Sequence, residues 1–271
     1  MQNTIYEFWL MIYQNIFKAD DNGIQKIAML TDFIESQRQK CAVYFPVVAG
    51  DFLIFTNSGL ECDETFVKDN LEIIIGENCT LDDDEEVKNV DDEKKSFNFF
   101  IIKNVALHSK NGYSIRKLQM FYGNSLRQLR VQCFNVYHYW FPDWPDHRSP
   151  QDIDVLLDMS LDLLDGNCAR DFDENADEEM LVSVKSPLPV LHCSAGIGRT
   201  GCLAAILNGL GQIRANTTTL NSDNTTPSSV DVLGIVCNLR LQRGGMVQNS
   251  EQYELIHRSL CLYQHKVISP K

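Results

Sequence analysis

The hydrophobic pattern changes from strand-like to helical about halfway along the chain. Apolar residues within 5–12 recur at helical spacing, and Thr4 with Glu7 forms a capping box, so we expect a first helix there. Short runs rich in Ile, Phe, Val and Tyr then predict strands at 26–30, 52–55, 72–75, 98–107, 113–122 and 128–138. Asn-Gly and Gly-Asn dipeptides between the later runs favour an antiparallel meander.

The second half is dominated by helical spacing. Asp152 caps a leucine-rich helix, residues 188–191 read as a buried strand, and a helix follows from about Arg199 to Ile213. Two more helices are expected around 232–239 and from Ser250. There is no internal repeat. We therefore predict one α+β domain over residues 1–271, with acidic inserts near 82–93 and 165–179 and a polar loop near 216–229.

Composition and charge exclude several classes of protein. With 44% hydrophobic and 23% charged residues, the chain is not a disordered tail, a collagen or a coiled coil. Its formal net charge of -13 argues against binding to nucleic acid or to an anionic membrane surface. The two acidic inserts account for this whole imbalance, so the overall charge says little about an active site.

The nine cysteines are scattered, with no CxxC pair that would suggest zinc. The apolar runs are too short to cross a bilayer, and we identify no signal peptide. We therefore expect a reducing, cytoplasmic location, no membrane segment and no metal site.

The segment 192–201, HCSAGIGRTG, carries the strongest chemical signal. A buried strand enters it and a helix leaves it, and its small residues allow successive N–H groups to converge on one point. Arg199 can bind two phosphate oxygens with its planar fork. Cys193 would lie at the bottom of this ring of N–H groups, where the positive field stabilises a thiolate. The segment thus predicts a cysteine nucleophile aimed at phosphorus.

The spacing C-x5-R is weak alone, because Cys237 and Arg243 share it. That second pair lies in an apolar helical pattern without a glycine-rich loop, and we interpret Cys237 as a core thiol. A buried structural cysteine in a tight turn is the competing interpretation for Cys193. The whole ten-residue string disfavours it.

Several motifs together resemble the protein tyrosine phosphatases. They are FWxM at 8–11, AMLT at 28–31, KCAVYFP at 40–46, WPD at 144–146, the string 192–201 and VQNSEQY at 247–253. Residues 138–141, 144–150 and 230–263 are most similar to the subfamily that carries a kinase-interaction motif, the haematopoietic, striatum-enriched and receptor-type R enzymes. The resemblance implies a twisted mixed β-sheet flanked by helices and hydrolysis of phosphotyrosine through a phosphocysteine.

The resemblance also implies roles for individual residues. Cys193 would be the nucleophile and Arg199 the phosphate ligand. Asp146 would protonate the leaving tyrosine, which departs poorly as an oxyanion, and would then act as the base for water. Gln248 and Gln252 would position that water.

Further residues follow from the same motifs. The substrate's phosphate would be bound by Arg199, Gln252 and the loop residues Ser194, Ala195, Gly196, Ile197 and Gly198. Supporting roles fall to His192, Thr200, Glu35, Lys40 and Trp144. No cofactor or metal is implied, since the arginine and the loop N–H groups stabilise the charge.

The resemblance implies a phosphotyrosine protein as substrate, with a MAP kinase as the candidate, and a monomeric enzyme. The family's catalytic domain begins upstream of its FWxM helix, so we expect an N-terminally truncated member. It would lack the phosphotyrosine-recognition loop and the kinase-interaction motif.

Two alternatives stay open. The chain could be a catalytically impaired phosphotyrosine-binding or regulatory fragment, although every matched chemical residue is present. It could be a cysteine-based redox or sulfur-transfer domain, although that chemistry needs neither Asp146 nor Gln248. A dual-specificity phosphatase is disfavoured, because such enzymes lack the FWxM and glutamine-loop context.

Overall fold

A computed structural model describes most of the chain. The described residues are 4–18, 24–57, 61–69, 71, 97–124, 131–146, 148–165, 172, 188–219 and 229–268. Within these ranges, no helix has the length and apolar character that a membrane span requires.

The described ranges contain six helices and eight strands. The helices are α1 (Ile5–Lys18), α2 (Glu61–Asp69), α3 (Ile153–Asp165), α4 (Arg199–Thr219), α5 (Val232–Gln242) and α6 (Ser250–Ile268). The strands are β1 (Gln25–Met29), β2 (Ile34–Glu35), β3 (Arg38–Gln39), β4 (Phe52–Thr56), β5 (Asn98–Ser109), β6 (Ser114–Asn124), β7 (Gln132–Trp140) and β8 (Val190–His192).

Six of the strands form one mixed sheet in the order β4-β5-β6-β7-β1-β8. Strands β4 to β7 are antiparallel neighbours, as the meander prediction requires. Strand β1 runs parallel to both β7 and β8 and is buried at every position. Such a strand needs cover on both faces of the sheet. The predicted α+β fold, a mixed sheet flanked by helices, is confirmed.

The two faces of the sheet pack against different helices. Ala28 of β1 joins the cluster built with α3, α4, α5 and α6. Its neighbours Ile27 and Met29 join the other cluster, where Trp9 and Ile12 of α1 are fully buried. This alternation is the period of two that a strand imposes on its side chains. At β1 the sheet thus separates two apolar clusters, and a third, smaller cluster lies at β5 and β6.

Most predicted elements lie where the pattern placed them. Helix α1 begins directly after Thr4, and α6 begins at Ser250. The Asn-Gly dipeptide turns the chain between β5 and β6, and Gly112 has a φ of 79°. Strand β7 covers Gln132–Trp140 instead of the predicted 128–138. The pattern therefore located elements better than their ends.

One predicted boundary differs from the structure, and several predicted segments are not among the described residues. Helix α4 extends to Thr219, so residues 216–219 are helical and do not belong to the predicted polar loop. Asn and Thr lower helix propensity only modestly, and the Arg214 Nε–H anchors this turn by donating to the Tyr263 hydroxyl at 3.1 Å. Several predictions lie outside the described residues: positions 220–228 of that loop, the strand predicted at 72–75, the acidic insert at 82–93 and most of the insert at 165–179.

The interpretation of Cys237 as a core thiol is wrong, because its side chain is exposed. Helix α5 buries Val232, Ile235 and Val236, which share one face. At about 100° per residue, position 237 lies beyond that face. The apolar run was correctly identified, but the face of α5 that packs against the core was not.

We predict that Gly112→Ala destabilises the fold, since an added Cβ would lie 2.7 Å from Val155 Cγ1 and would require a left-handed backbone. Gly50→Ala is the matched control, because Gly50 also has positive φ but nothing within 4 Å of an added Cβ. In urea denaturation followed by circular dichroism, the unfolding free energy should fall by about 1 kcal/mol in Gly50→Ala and by about 2 kcal/mol or more in Gly112→Ala. Equal losses would contradict the packing argument.

Candidate active site

The cysteine lies in a loop, residues 193–198, between strand β8 and helix α4. Leu30 N–H donates to the His192 carbonyl at 2.9 Å and fixes the point where the loop begins. Cys202 N–H donates to the Gly198 carbonyl at 3.0 Å and starts the helical hydrogen bonding. The loop thus lies at the N-terminus of a 21-residue helix, a position that favours negative charge.

The Cys193 thiol is almost buried, with 8% of the residue exposed. Its Sγ accepts hydrogen bonds from the Thr200 hydroxyl at 3.1 Å and from Gly196 N–H at 3.2 Å. The φ of 70° at Gly196 belongs to the left-handed region, which glycine adopts readily. Burial raises the pKa of the thiol, but the hydrogen bonds from Thr200 and Gly196 and the charge of Arg199 outweigh it. The pKa of Cys193 therefore lies below its ordinary value.

The Arg199 guanidinium is 2% exposed and joins three parts of the site. It donates to Glu35 Oε1 at 2.6 Å and to the Trp144 carbonyl at 2.8 Å. Its Nη2 also lies 3.6 Å from Asp146 Oδ1. The arginine predicted to bind phosphate therefore holds the carboxylate predicted to be the acid close to the cysteine loop.

The acid loop, residues 144–146, is anchored at both ends. Trp144 is fully buried, and its Nε1–H donates to the Arg148 carbonyl at 2.8 Å. Lys40 Nζ lies 2.7 Å from Asp146 Oδ2. The Asp146 side chain stays 37% exposed, so a ligand can reach it. Asp143, the nearby carboxylate, is also exposed.

Glu35 and Lys40 are brought to the site by the β2–β3 hairpin. Its turn residues, Ser36 and Gln37, have φ of 49° and 63°, both in the left-handed region. The Thr31 hydroxyl donates to Glu35 Oε1 at 2.6 Å. Burial raises the pKa of Glu35, but hydrogen bonds from Arg199 and Thr31 outweigh it, and the pKa lies below its ordinary value. Glu35 is therefore held as a carboxylate that orients Arg199.

The glutamine segment, residues 247–252, packs directly on the cysteine loop. Val247 N–H donates to the Ile197 carbonyl at 3.0 Å, and Gln248 N–H donates to Gln252 Oε1 at 2.8 Å. A Cβ added to Gly198 would collide with Gln248 Oε1 and lie 2.9 Å from Gln252 Nε2, so both glutamine side chains lie directly against this glycine. Gln252 is fully buried, and its Nε2 has no hydrogen-bond partner. This amide is an available donor beside the loop.

The structure brings the predicted residues to one place. These are Cys193, Ser194, Ala195, Gly196, Ile197, Gly198, Arg199, Thr200, His192, Asp146, Trp144, Glu35, Lys40, Gln248 and Gln252.

Sequence reasoning missed three contributors to the site. Thr31 fixes Glu35, and Val247 joins the glutamine segment to the cysteine loop. Arg243 was considered only as the partner of Cys237, yet its Nη2 donates to the Ala195 carbonyl at 3.1 Å. The residues around Thr31 and Val247 belong to recognised motifs, but no local pattern assigns them these contacts.

Comparison with known proteins gives consistent matches. A family model described as protein-tyrosine phosphatase matches residues 1–90 and 85–262. Receptor-type tyrosine-protein phosphatase R of Homo sapiens is 28% identical over 267 residues, covering 98% of this chain and 28% of that protein. Tyrosine-protein phosphatase non-receptor type 7 of Homo sapiens is 29% identical over 267 residues, covering 97% of this chain and 50% of that protein.

A third relative is tyrosine-protein phosphatase non-receptor type 5 of Mus musculus. It is 28% identical over 265 residues, covering 98% of this chain and 34% of that protein. The chain thus spans half or less of the length of these three relatives.

We predict that the Glu35–Arg199 pair makes stability depend on pH. The lowered pKa of Glu35 means that the pair stabilises the fold above the ordinary pKa of about 4.3, and that this stabilisation is lost as the pH falls through the folded-state pKa. In urea denaturation at pH 7, Glu35→Gln should lower the unfolding free energy by about 3 kcal/mol, because it leaves the buried Arg199 cation with fewer partners.

The difference in unfolding free energy between wild type and Glu35→Gln should become smaller below about pH 4. Glu64→Gln is the control, because Glu64 pairs with Lys68 at 3.7 Å on an exposed helix face. This substitution should lower the unfolding free energy only slightly. A difference that stays constant from pH 7 downward would show that Glu35 does not act as a charge.

Proposed function

The chain belongs to the protein-tyrosine phosphatase family, and from that premise we propose that it hydrolyses phosphotyrosine in proteins through a phosphocysteine intermediate. One observation carries the proposal. The sulfur of Cys193 accepts two hydrogen bonds at the N-terminus of α4, while Arg199 lies between this loop and the Asp146 carboxylate. The proposed anion ligand thus begins the helix that follows the nucleophile's loop and lies 3.6 Å from the proposed acid.

In the first proposed step the Cys193 thiolate attacks phosphorus. A sulfur–phosphorus bond forms as the bond from phosphorus to the tyrosyl oxygen breaks. The leaving phenol has a pKa of about 10, so it departs more readily when the Asp146 carboxyl transfers a proton to it. Its exposure leaves Asp146 within reach of a leaving group, and its position beside Arg199 places it next to the proposed phosphate site.

The charge on the transferred phosphoryl group needs stabilisation throughout. The Arg199 fork can bind two phosphoryl oxygens, and the N–H groups of residues 194–198 can bind the others. Glu35 holds the guanidinium in place before substrate arrives. Pre-organised groups of this kind lower the barrier, because they do not have to reorient during the reaction.

In the second proposed step water attacks the phosphocysteine. Asp146, now ionised, accepts a proton from the water, the sulfur–phosphorus bond breaks, and inorganic phosphate is released. Gln248 and Gln252 would orient the water. The buried, unpartnered Nε2 of Gln252 beside Gly198 supports this assignment.

The substrate we propose is the phosphotyrosine of a MAP kinase. The support is the similarity of residues 138–141, 144–150 and 230–263 to the subfamily that carries a kinase-interaction motif. We also propose a cytoplasmic location, because a thiolate of lowered pKa has to stay reduced to attack phosphorus. The monomeric state that we propose rests on the family resemblance alone.

The first test compares Cys193→Ser with Cys237→Ser, the cysteine of the other C-x5-R segment. Turnover of para-nitrophenyl phosphate should vanish in Cys193→Ser and stay unchanged in Cys237→Ser, since Cys237 is exposed on α5. With a doubly phosphorylated MAP kinase, the wild type should remove phosphotyrosine and leave phosphothreonine, as followed by mass spectrometry.

Three results would contradict parts of this proposal. Equal turnover in wild type and Cys193→Ser would exclude the phosphocysteine. A folded wild type that binds phosphotyrosine peptide without turnover would favour a regulatory binding fragment. Turnover of the small ester without action on the kinase would overturn only the proposed substrate.

We also predict that Asp146→Asn impairs turnover according to the leaving group. An acid matters most when the leaving oxygen is basic, so kcat should fall about 100-fold or more with phenyl phosphate and much less with para-nitrophenyl phosphate. Asp143→Asn is the control, because Asp143 is an exposed carboxylate in the same segment. An equal loss with both esters would argue against proton donation by Asp146.

A further inference from the structure

Two hydrogen bonds join the start of the acid loop to the residues that follow it. Trp144 Nε1–H donates to the Arg148 carbonyl at 2.8 Å, and Arg148 N–H donates to the Pro145 carbonyl at 3.3 Å. Asp146 lies between these residues in the chain. The position of its carboxylate therefore depends on what holds the two ends of this segment to the rest of the protein.

The start and the tip of the loop are held through groups of the site itself. The Trp144 carbonyl accepts from Arg199 Nη1 at 2.8 Å, and Lys40 Nζ lies 2.7 Å from Asp146 Oδ2. Arg199 and Asp146 both engage the substrate in the proposed mechanism, so contacts made through them are open to competition from the substrate. An anchor that leaves the reacting groups free has to lie at the other end of the segment.

That other end is joined to α6 by a hydrogen bond to a carboxylate. Ser149 N–H donates to Glu251 Oε1 at 2.7 Å. Ser149 lies directly after Arg148, whose carbonyl holds the Trp144 indole. It directly precedes Pro150, which has no N–H to donate. Since a charged acceptor makes a stronger hydrogen bond than a neutral one, Glu251 is the anchor for the trailing end of the acid loop.

The first turn of α6 fixes the position of Glu251. Asn249 caps this helix, because its Oδ1 accepts from Gln252 N–H at 2.9 Å and its carbonyl accepts from Tyr253 N–H at 3.1 Å. Glu251 is the second residue of the helix, where the helix dipole favours a negative charge. Its neighbour Gln252 is fully buried beside the cysteine loop. The turn that carries a proposed water-orienting amide thus also carries the anchor of the acid loop.

We propose that Glu251 is a positioning residue, which holds the trailing end of the acid loop against α6 and thereby keeps Asp146 beside the cysteine loop. The proposal rests on the proposed function, because it concerns the delivery of the same proton. Glu251 contacts the backbone of Ser149 and acts on Asp146 through it. One helix end thus positions groups that serve both proposed chemical steps.

A carboxylate in the first turn of a helix also has a structural use, since it complements the helix dipole. The two roles differ in the effect of a conservative substitution. Glu251→Gln removes the charge but keeps an oxygen that can accept from Ser149 N–H, whereas Glu251→Ala removes both. The positioning role therefore predicts rescue by glutamine, and the dipole role does not.

The first test measures turnover of phenyl phosphate and para-nitrophenyl phosphate. Glu251→Ala should lower kcat about 3- to 10-fold with phenyl phosphate and less with para-nitrophenyl phosphate, because a displaced acid matters most for the more basic leaving oxygen. KM should change little, since Arg199 and the loop N–H groups bind the phosphate in the proposed mechanism. Glu251→Gln should retain most of the wild-type kcat.

A second measurement shows whether Glu251 acts through Asp146. In an Asp146→Asn background, Glu251→Ala should cause little further loss of kcat with phenyl phosphate, because the group that it positions is already gone. The same fold-loss in both backgrounds would overturn the proposal. Equal losses from Glu251→Gln and Glu251→Ala in the otherwise wild-type protein would also overturn it.

Glu254→Ala is the matched control. Glu254 is exposed about one turn further along α6 and has no hydrogen bond or ion pair to another described residue. Its kcat should equal that of wild type with both esters. A loss equal to that of Glu251→Ala would show that any change of charge on this helix has the same effect, which would contradict the proposal.

A third measurement requires no turnover, so its outcome is separate from that of the proposed function. Amide hydrogen exchange of peptides covering residues 141–150 should be faster in Glu251→Ala than in wild type and unchanged in Glu254→Ala, as read by mass spectrometry. An inactive wild type with this faster exchange in Glu251→Ala would sink the catalytic proposal and support the anchoring role. An active wild type whose exchange and kcat are both unaffected by Glu251→Ala would do the reverse.

Discussion

The buried guanidinium of Arg199 is the interaction on which the site depends. A cation that is 2% exposed has lost its water and must be satisfied by protein groups. Here Glu35 and the Trp144 carbonyl provide those partners, and they come from segments separated widely along the chain. Satisfying one charge therefore brings the hairpin, the acid loop and the cysteine loop together. A bound phosphate would contact this same guanidinium.

Backbone strain is concentrated around this arrangement. In the described part of the chain, the non-glycine residues with positive φ are Ser36, Gln37 and Val247. The first two directly follow Glu35, and Val247 directly precedes Gln248. A left-handed conformation at such residues costs about 1 to 3 kcal/mol each, and it persists only where the surroundings enforce it. The site is thus held in a defined geometry at the expense of local stability.

The sequence specified the fold well where periodicity was strong. Helix α1, the meander and the buried strand β1 all follow from spacing, because burial on one or two faces imposes a regular pattern. The cysteine loop was recognisable because its glycines and arginine are close in sequence. The exposure of Cys237 was missed, since an apolar run does not by itself define which of its residues faces the core.

The contacts that could not be predicted are those between distant segments. Nothing near Thr31, Val247 or Arg243 indicates which residue each of them contacts, because their partners are set by sheet order and helix packing. Local motifs describe which groups do the chemistry, whereas tertiary contacts describe what holds those groups still.

Two independent supports hold the cysteine loop from opposite sides. From the sheet, the Tyr44 hydroxyl lies 2.6 Å from both His138 Nε2 and His192 Nε2, and His192 Nδ1 lies 3.3 Å from the Cys193 carbonyl oxygen. From the helical side, Arg243 holds the Ala195 carbonyl and Val247 holds the Ile197 carbonyl. Carbonyl oxygens drawn outward at these alternate positions leave the intervening N–H groups free to turn inward, since the two groups of a peptide plane point in opposite directions. The orientation of the loop's N–H groups is therefore a property of its surroundings as much as of its own sequence.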